Sequence, residues 1–138
     1  MILRLALAAA IIAAAGGVAW VLRRRRPVPP PRDTYPLPRQ LDRADFPRPE
    51  APWLVAYFSS TRCDSCEGLG ERIAALSSPD VATAELEFHE QRALHDRYQI
   101  SAIPMILVAD HEGVVCHGFV GATTSEELTS VLGTLQAK

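Results

Sequence analysis

The stretch Trp53-Leu-Val-Ala-Tyr-Phe-Ser-Ser-Thr-Arg-Cys-Asp-Ser-Cys66 decides how the rest of the chain is read. Its first six residues, Trp53 to Phe58, are almost all apolar, with aromatic and β-branched members that suit the pleated surface of a buried strand. A polar turn over Ser59–Arg62 follows, and a helix is predicted from about Cys63. Cysteines three apart on a first helical turn share a face, close enough to close a disulfide or to share a metal. At a helix start, unpaired backbone N–H groups and the helix dipole would favour a Cys63 thiolate, the nucleophile of disulfide exchange. Half of a zinc site and two chance core cysteines are the competing readings. The redox reading leads, because no second Cys-x-x-Cys or His-x-x-x-His supplies further ligands.

A chain of 138 residues accommodates one domain and an appendage. Charge is unevenly spread: residues 1–50 hold nine arginines and four acids, residues 51–138 five basic and twelve acidic groups. An acidic globular part lacks the basic footprint that nucleic acid requires, so no nucleic-acid partner is expected. Three cysteines are too few for a disulfide scaffold and leave one over, Cys116.

Leu5 to Leu22 is uncharged, and as a helix it would span roughly 27 Å, about the hydrocarbon core of a bilayer. Arg23–Arg26 follows it and only Arg4 precedes it. The pattern predicts a single transmembrane anchor over residues 1–22, with the domain on the cytoplasmic side. A cleaved signal peptide ending near Ala13–Ala15, which would place the domain outside the cytoplasm, is the alternative. Residues 23–36 read as an Arg/Pro-rich spacer, and residues 37–138 as the domain.

Within the domain, Asp42 is expected to cap one helical turn that buries Phe46, after a short edge strand ending at Leu41. A helix over about Cys63–Leu76, a strand over Val81–Phe88 and a short helix over Glu90–Tyr98 come next. Then a hairpin of Met105–Ala109 with Val114–Val120 is predicted, turning at Asp110–Gly113. Thr124-x-x-Glu127 is a capping box for a last helix presenting Leu128, Val131, Leu132 and Leu135 on one face. The order predicts an α/β fold in three layers, α/β/α, with a mixed sheet. Cys116 reads as a buried small hydrophobe, with a third redox thiol as the alternative, and His89, His95, His111 and His117 read as surface or strand-edge residues.

Over roughly Leu37–Leu135 these residues resemble the thioredoxin-like superfamily, in particular its short membrane-tethered bacterial members. The features that carry the likeness are Cys63-x-x-Cys66 after a strand, Ile103-Pro104 before a strand, the Asp110–Gly113 turn, and Gly121 before the last helix. The resemblance implies Cys63 as attacking thiolate, Cys66 as resolving thiol, and Ile103 with Pro104, in a cis-proline loop, as the substrate platform. It implies protein disulfides as substrates and an upstream thiol reductant as partner, with no cofactor and no metal.

The departures bear on chemistry. Arg62 precedes the pair and would favour a Cys63 thiolate while contacting substrate, whereas Asp64 opposes the thiolate. The family's buried acid on the first strand is Tyr57 here, and its basic partner on the neighbouring strand aligns with Glu85. Glu85 is therefore expected to take the proton from Cys66 during resolution, from a half-buried position. The function expected is protein-disulfide reduction by a membrane-tethered protein. An exported thiol reductase for cytochrome maturation, a domain handling a soft metal such as copper through Cys63 and Cys66, and a redox-inert docking domain are the alternatives.

Overall fold

Strand β1, Trp53–Ser59, is buried from Leu54 onward because helices cover both of its faces. Leu54, Ala56 and Phe58 point into one core, with Leu41, Phe46 and Leu86 and with the partly buried Leu94 and Tyr98 against them. Val55 and Tyr57 point into the other, with Leu69, Ile73, Leu128 and Leu132. A strand with two apolar faces must read as a continuous apolar run, which is why the alternation typical of a half-exposed strand is missing here.

Around it lie β2, Val81–Glu87, β3, Met105–Ala109, and β4, Val115–Val120, in the order β2-β1-β3-β4. The β1–β2 pair is parallel, and β1–β3 and β3–β4 are antiparallel. The α-helices of residues 35–138 are α1, Leu69–Ala74, α2, Arg92–Arg97, and α3, Ser125–Gln136. Leu94 of α2 packs on one face of the sheet, and α1 and α3 on the other. The expected three-layer α/β/α arrangement with a mixed sheet is present.

Local signals explain most boundaries. Thr124 and Glu127 form the reciprocal capping box at the start of α3, and Leu128 and Leu132 are its buried residues. Asp42 accepts a hydrogen bond from the Ala44 N–H, opens a 3-10 turn over Arg43–Asp45, and Phe46 behind it is buried. The predicted front edge strand is reduced to a bridge between Gln40 and Val114. Arg43 is buried, and its guanidinium donates to the carbonyls of Ala51 and Asp110 at 2.9 Å and of Arg48 at 3.2 Å. One cation thus ties its own turn to the Arg48–Ala51 turn and to the hairpin turn at Asp110, adding to backbone bonds that the Arg48 and Asp110 carbonyls already accept from Ala51 and Gly113.

The structure is a computed structural model and describes residues 1, 3, 6, 7, 12–17 and 35–138. It separates into two units, Met1–Pro31 and Arg32–Lys138. In the first, residues 12–17 are helical. The membrane anchor predicted over residues 1–22 is corrected: among the described residues no helix is long and apolar enough to cross a membrane. The stretch owes much of its apolar character to alanine, whose single methyl buries little area. The other positions of that stretch, and most of the predicted 23–36 spacer, lie outside the described residues. With the anchor go the expectations built on it: a membrane-tethered relative, attachment through an N-terminal helix, and a single-pass topology with a cytoplasmic domain.

Candidate functional site: a disulfide in a carboxylate-lined groove

The chain leaves β1 at Ser59 and turns, with the Cys63 N–H donating to the Ser60 carbonyl at 3.1 Å. Cys63 is extended (φ −103°, ψ 107°) and opens a 3-10 turn over Asp64–Cys66, closed by Cys66 N–H on the Cys63 carbonyl at 3.2 Å. That turn brings the two cysteines together in a disulfide, with Cα atoms 5.3 Å apart, and both are half-buried.

The continuous helix predicted over Cys63–Leu76 is corrected. Gly68 adopts the left-handed region (φ +68°) and separates the 3-10 turn from α1, which starts only at Leu69. Glycine enters that region without the Cβ clash that a larger residue meets. Cys63 therefore sits at one short 3-10 turn and not at the end of a helix, and support from a helix macrodipole is absent.

Beneath the pair lies Tyr57, fully buried, with its hydroxyl donating to the Cys66 carbonyl at 3.3 Å. Burial first, and then the Glu85 carboxylate, push the Tyr57 hydroxyl up to about 12, with Arg72 opposing. Tyr57 and Glu85 are partners in the parallel β1–β2 register, as the sequence alignment of the two departures required. Ser59 Oγ donates to Glu85 Oε1 at 3.0 Å. A Cβ on Gly70 would stand 2.6 Å from Glu85 Oε2, so the glycine in α1 leaves room for the carboxylate. Glu85 itself is exposed, which corrects the half-buried setting expected for it.

The disulfide opens on a groove of about 360 Å³, lined by Ser59–Thr61 and both cysteines. Asp64, Glu67, Glu85 and Glu87 complete the lining. Glu87 is held by three backbone N–H groups: Thr61 on one oxygen at 3.1 Å, and His89 at 2.7 Å and Glu90 at 3.1 Å on the other. Desolvation alone would raise its pKa, but these bonds and the neighbouring His89 together bring it below the usual glutamate value. Glu87 and Glu67 escaped the sequence reading as site residues. The signal for Glu87 was its spacing of two from Glu85, which puts both carboxylates on one face of β2.

The other expected residues lie outside the groove lining. Arg62 is exposed in the turn before Cys63. Ile103 is half-buried, Pro104 is buried, and the bond between them is cis. Met105, which follows, pairs with Phe58, so this loop and the cysteine turn leave the sheet at the same end. Cys116 is exposed, not buried, and desolvation and Asp110 raise its thiol pKa. His95, expected at the surface, is buried against the ring edges of Phe58 and Phe88, with Nε2 2.8 Å from the Leu86 carbonyl. Among the described residues no group of three or more His, Cys, Asp or Glu is placed to hold a metal ion.

Solved structures share this architecture. A mutant thioredoxin from Halobacterium salinarum superposes with a TM-score of 0.54 at 21% identity, covering 62% of this chain and 75% of that one. The oxidised mitochondrial thioredoxin 3 of Saccharomyces cerevisiae gives 0.52 at 20% identity, covering 62% and 80%. The fold is thioredoxin-like. The germline thioredoxin Deadhead of Drosophila melanogaster agrees, with a TM-score of 0.55 at 19% identity over 63% of this chain and 84% of that one. No protein-family model and no curated protein matches the sequence. A thioredoxin-like sheet with a closed Cys-x-x-Cys disulfide at the end of its central strand is chemically suited to thiol–disulfide exchange.

Proposed function

We propose that the domain is a protein-disulfide reductase. The observation that carries the reading is the Cys63–Cys66 disulfide, half-buried at the mouth of an open groove rather than sealed in the core. In the reduced protein the Cys63 thiolate attacks one sulfur of a substrate disulfide. The substrate S–S bond breaks, a Cys63–substrate disulfide forms, and the first substrate sulfur leaves as a thiolate. Cys66 then loses its proton and attacks Cys63 Sγ, which releases the second substrate thiolate and closes the Cys63–Cys66 disulfide. Two electrons pass from the pair to the substrate, and an upstream dithiol returns them.

The proton of Cys66 goes to Glu85 in this scheme. Support for that role is the position of Glu85 beside Ser59, in the same groove as Cys66. Ile103, ahead of Pro104 at the same end of the sheet, is assigned to the substrate backbone, and Arg62 to the rim. Charge supports this direction. Four carboxylates around the pair disfavour a thiolate, which favours the disulfide over the dithiol and makes the pair a donor of electrons. The test is insulin reduction with dithiothreitol as the upstream dithiol. The parent should accelerate precipitation of the insulin B chain, and Cys63→Ser should remove the acceleration. A parent rate equal to dithiothreitol alone would dismiss the reading.

A further inference from the structure

We infer that the substrate disulfide of this domain is flanked by basic residues, so that the partner is a polypeptide presenting lysine or arginine beside its cystine. The inference rests on the thiol–disulfide reading above and adds the substrate class. All four ionisable side chains lining the groove, apart from the cysteines, are carboxylates: Asp64, Glu67, Glu85 and Glu87. Among the described residues none of the four forms an ion pair with a lysine or arginine. Their charge is fixed in place by hydrogen bonds in two cases. Glu87 accepts three backbone N–H groups, which bind the ionised form, and Glu85 accepts the Ser59 hydroxyl.

Neither Arg62 nor Arg72 lines the groove. Arg72 is turned to the Gly68 carbonyl at 3.2 Å and the Thr123 carbonyl at 3.4 Å. Arg62 is exposed and lies outside the lining. A groove of about 360 Å³ takes a few side chains of an extended segment rather than a globular surface. A segment with carboxylates of its own would meet repulsion at the moment the sulfurs must come into contact, whereas one with ammonium or guanidinium groups would be drawn in. The same carboxylates that make Cys63 a poorer thiolate thus raise the local concentration of a suitable substrate.

The experiment uses the reduced full chain and three synthetic peptides, each with one disulfide and otherwise the same sequence. The residues flanking the cystine are lysine, glutamine or glutamate. The second-order rate of reduction is measured at low ionic strength and near 1 M salt, where screening shortens the reach of charge to about 3 Å. The expected order at low salt is lysine, glutamine, glutamate, with roughly tenfold or more between the extremes, and the order should collapse in high salt. Neutralising Glu67 and Glu87 together (E67Q with E87Q) should narrow the lysine-to-glutamate ratio. Equal rates for the three peptides at low salt would overturn the inference while leaving the reductase reading in place. No reduction of any peptide would overturn both.

Discussion

Tyr57 and Glu85 stand opposite one another in the parallel β1–β2 ladder, the one bonded to the second cysteine and the other lining the groove onto which that cysteine opens. The tyrosine hydroxyl holds the Cys66 carbonyl from within the core, and the glutamate, steadied by Ser59, lies in the open groove. Glu85→Gln should slow closure of the Cys63–Cys66 disulfide from the mixed disulfide by about a hundredfold or more, as expected for loss of a positioned base. The first attack by Cys63 should change little. Stopped-flow measurement of the two steps separates them, and equal closure rates would assign the proton directly to water. Gly70→Ala supplies an independent route, since its Cβ would displace the Glu85 carboxylate. It should slow the same step without loss of thermal stability, because alanine is the better helix residue by about 1 kcal/mol.

Cys66→Ser should accumulate mixed disulfides with substrate, because formation needs Cys63 alone and release needs the second thiol. Higher-mass species on non-reducing gels that vanish with dithiothreitol are the expected outcome. The protein should carry Cys116→Ser as well, since that third thiol is exposed. Equal trapping by Cys63→Ser would reverse the assignment of nucleophile.

Tyr57 sets an alkaline limit on stability. Its hydroxyl is raised from the ordinary value of 10 to about 12 in the folded state. Between those values the unfolded chain releases the proton and the native one keeps it. The stabilisation is complete below pH 10 and is lost as pH rises toward 12. Urea unfolding of the parent and of Tyr57→Phe across this range should show a steeper alkaline decline in the parent.

Glu87 acts at the other end of the scale. Its lowered pKa means that the native state holds the ionised form in preference to the unfolded chain. The contribution is present above the ordinary glutamate range and lost as pH falls through the folded value. Glu87→Gln should therefore flatten the acid limb of stability against pH. An unchanged acid limb would mean that the backbone bonds to Thr61, His89 and Glu90 do not favour the charge.

Arg43 was legible only as one residue of a predicted turn, yet it ties that turn to the Arg48–Ala51 turn and to the hairpin turn at Asp110. Arg43→Ala removes the Ala51 carbonyl's side-chain donor and the links to the Arg48 and Asp110 carbonyls, and should destabilise the fold by about 2 kcal/mol, read from urea denaturation. The sequence disclosed what local pattern controls: the double-faced strand at Trp53–Phe58, the capping box at Thr124 and the turn at Asp42; the Tyr57–Glu85 register came through the family resemblance. It did not disclose what depends on a single backbone angle or on packing between distant segments. Gly68 breaks the helix after the cysteines, His95 goes inward through Phe58 and Phe88, and Cys116 faces out on β4. The acidic groove lay between these cases. Glu85 and Glu87 were visible as alternate residues, but their meeting with Asp64 and Glu67 needed the turn that brings the cysteines back toward β2.

The central claim is that two electrons leave the Cys63–Cys66 pair for a substrate disulfide, and a single-turnover experiment reads this directly. Reduced Cys116→Ser protein is mixed with a lysine-flanked peptide disulfide, quenched by alkylation, and both partners are weighed by mass spectrometry. The account predicts one peptide disulfide reduced for each Cys63–Cys66 disulfide formed, at equal rates. Reduced peptide without a matching protein disulfide, or an unreacted peptide beside a fully alkylated Cys63 and Cys66, would contradict it.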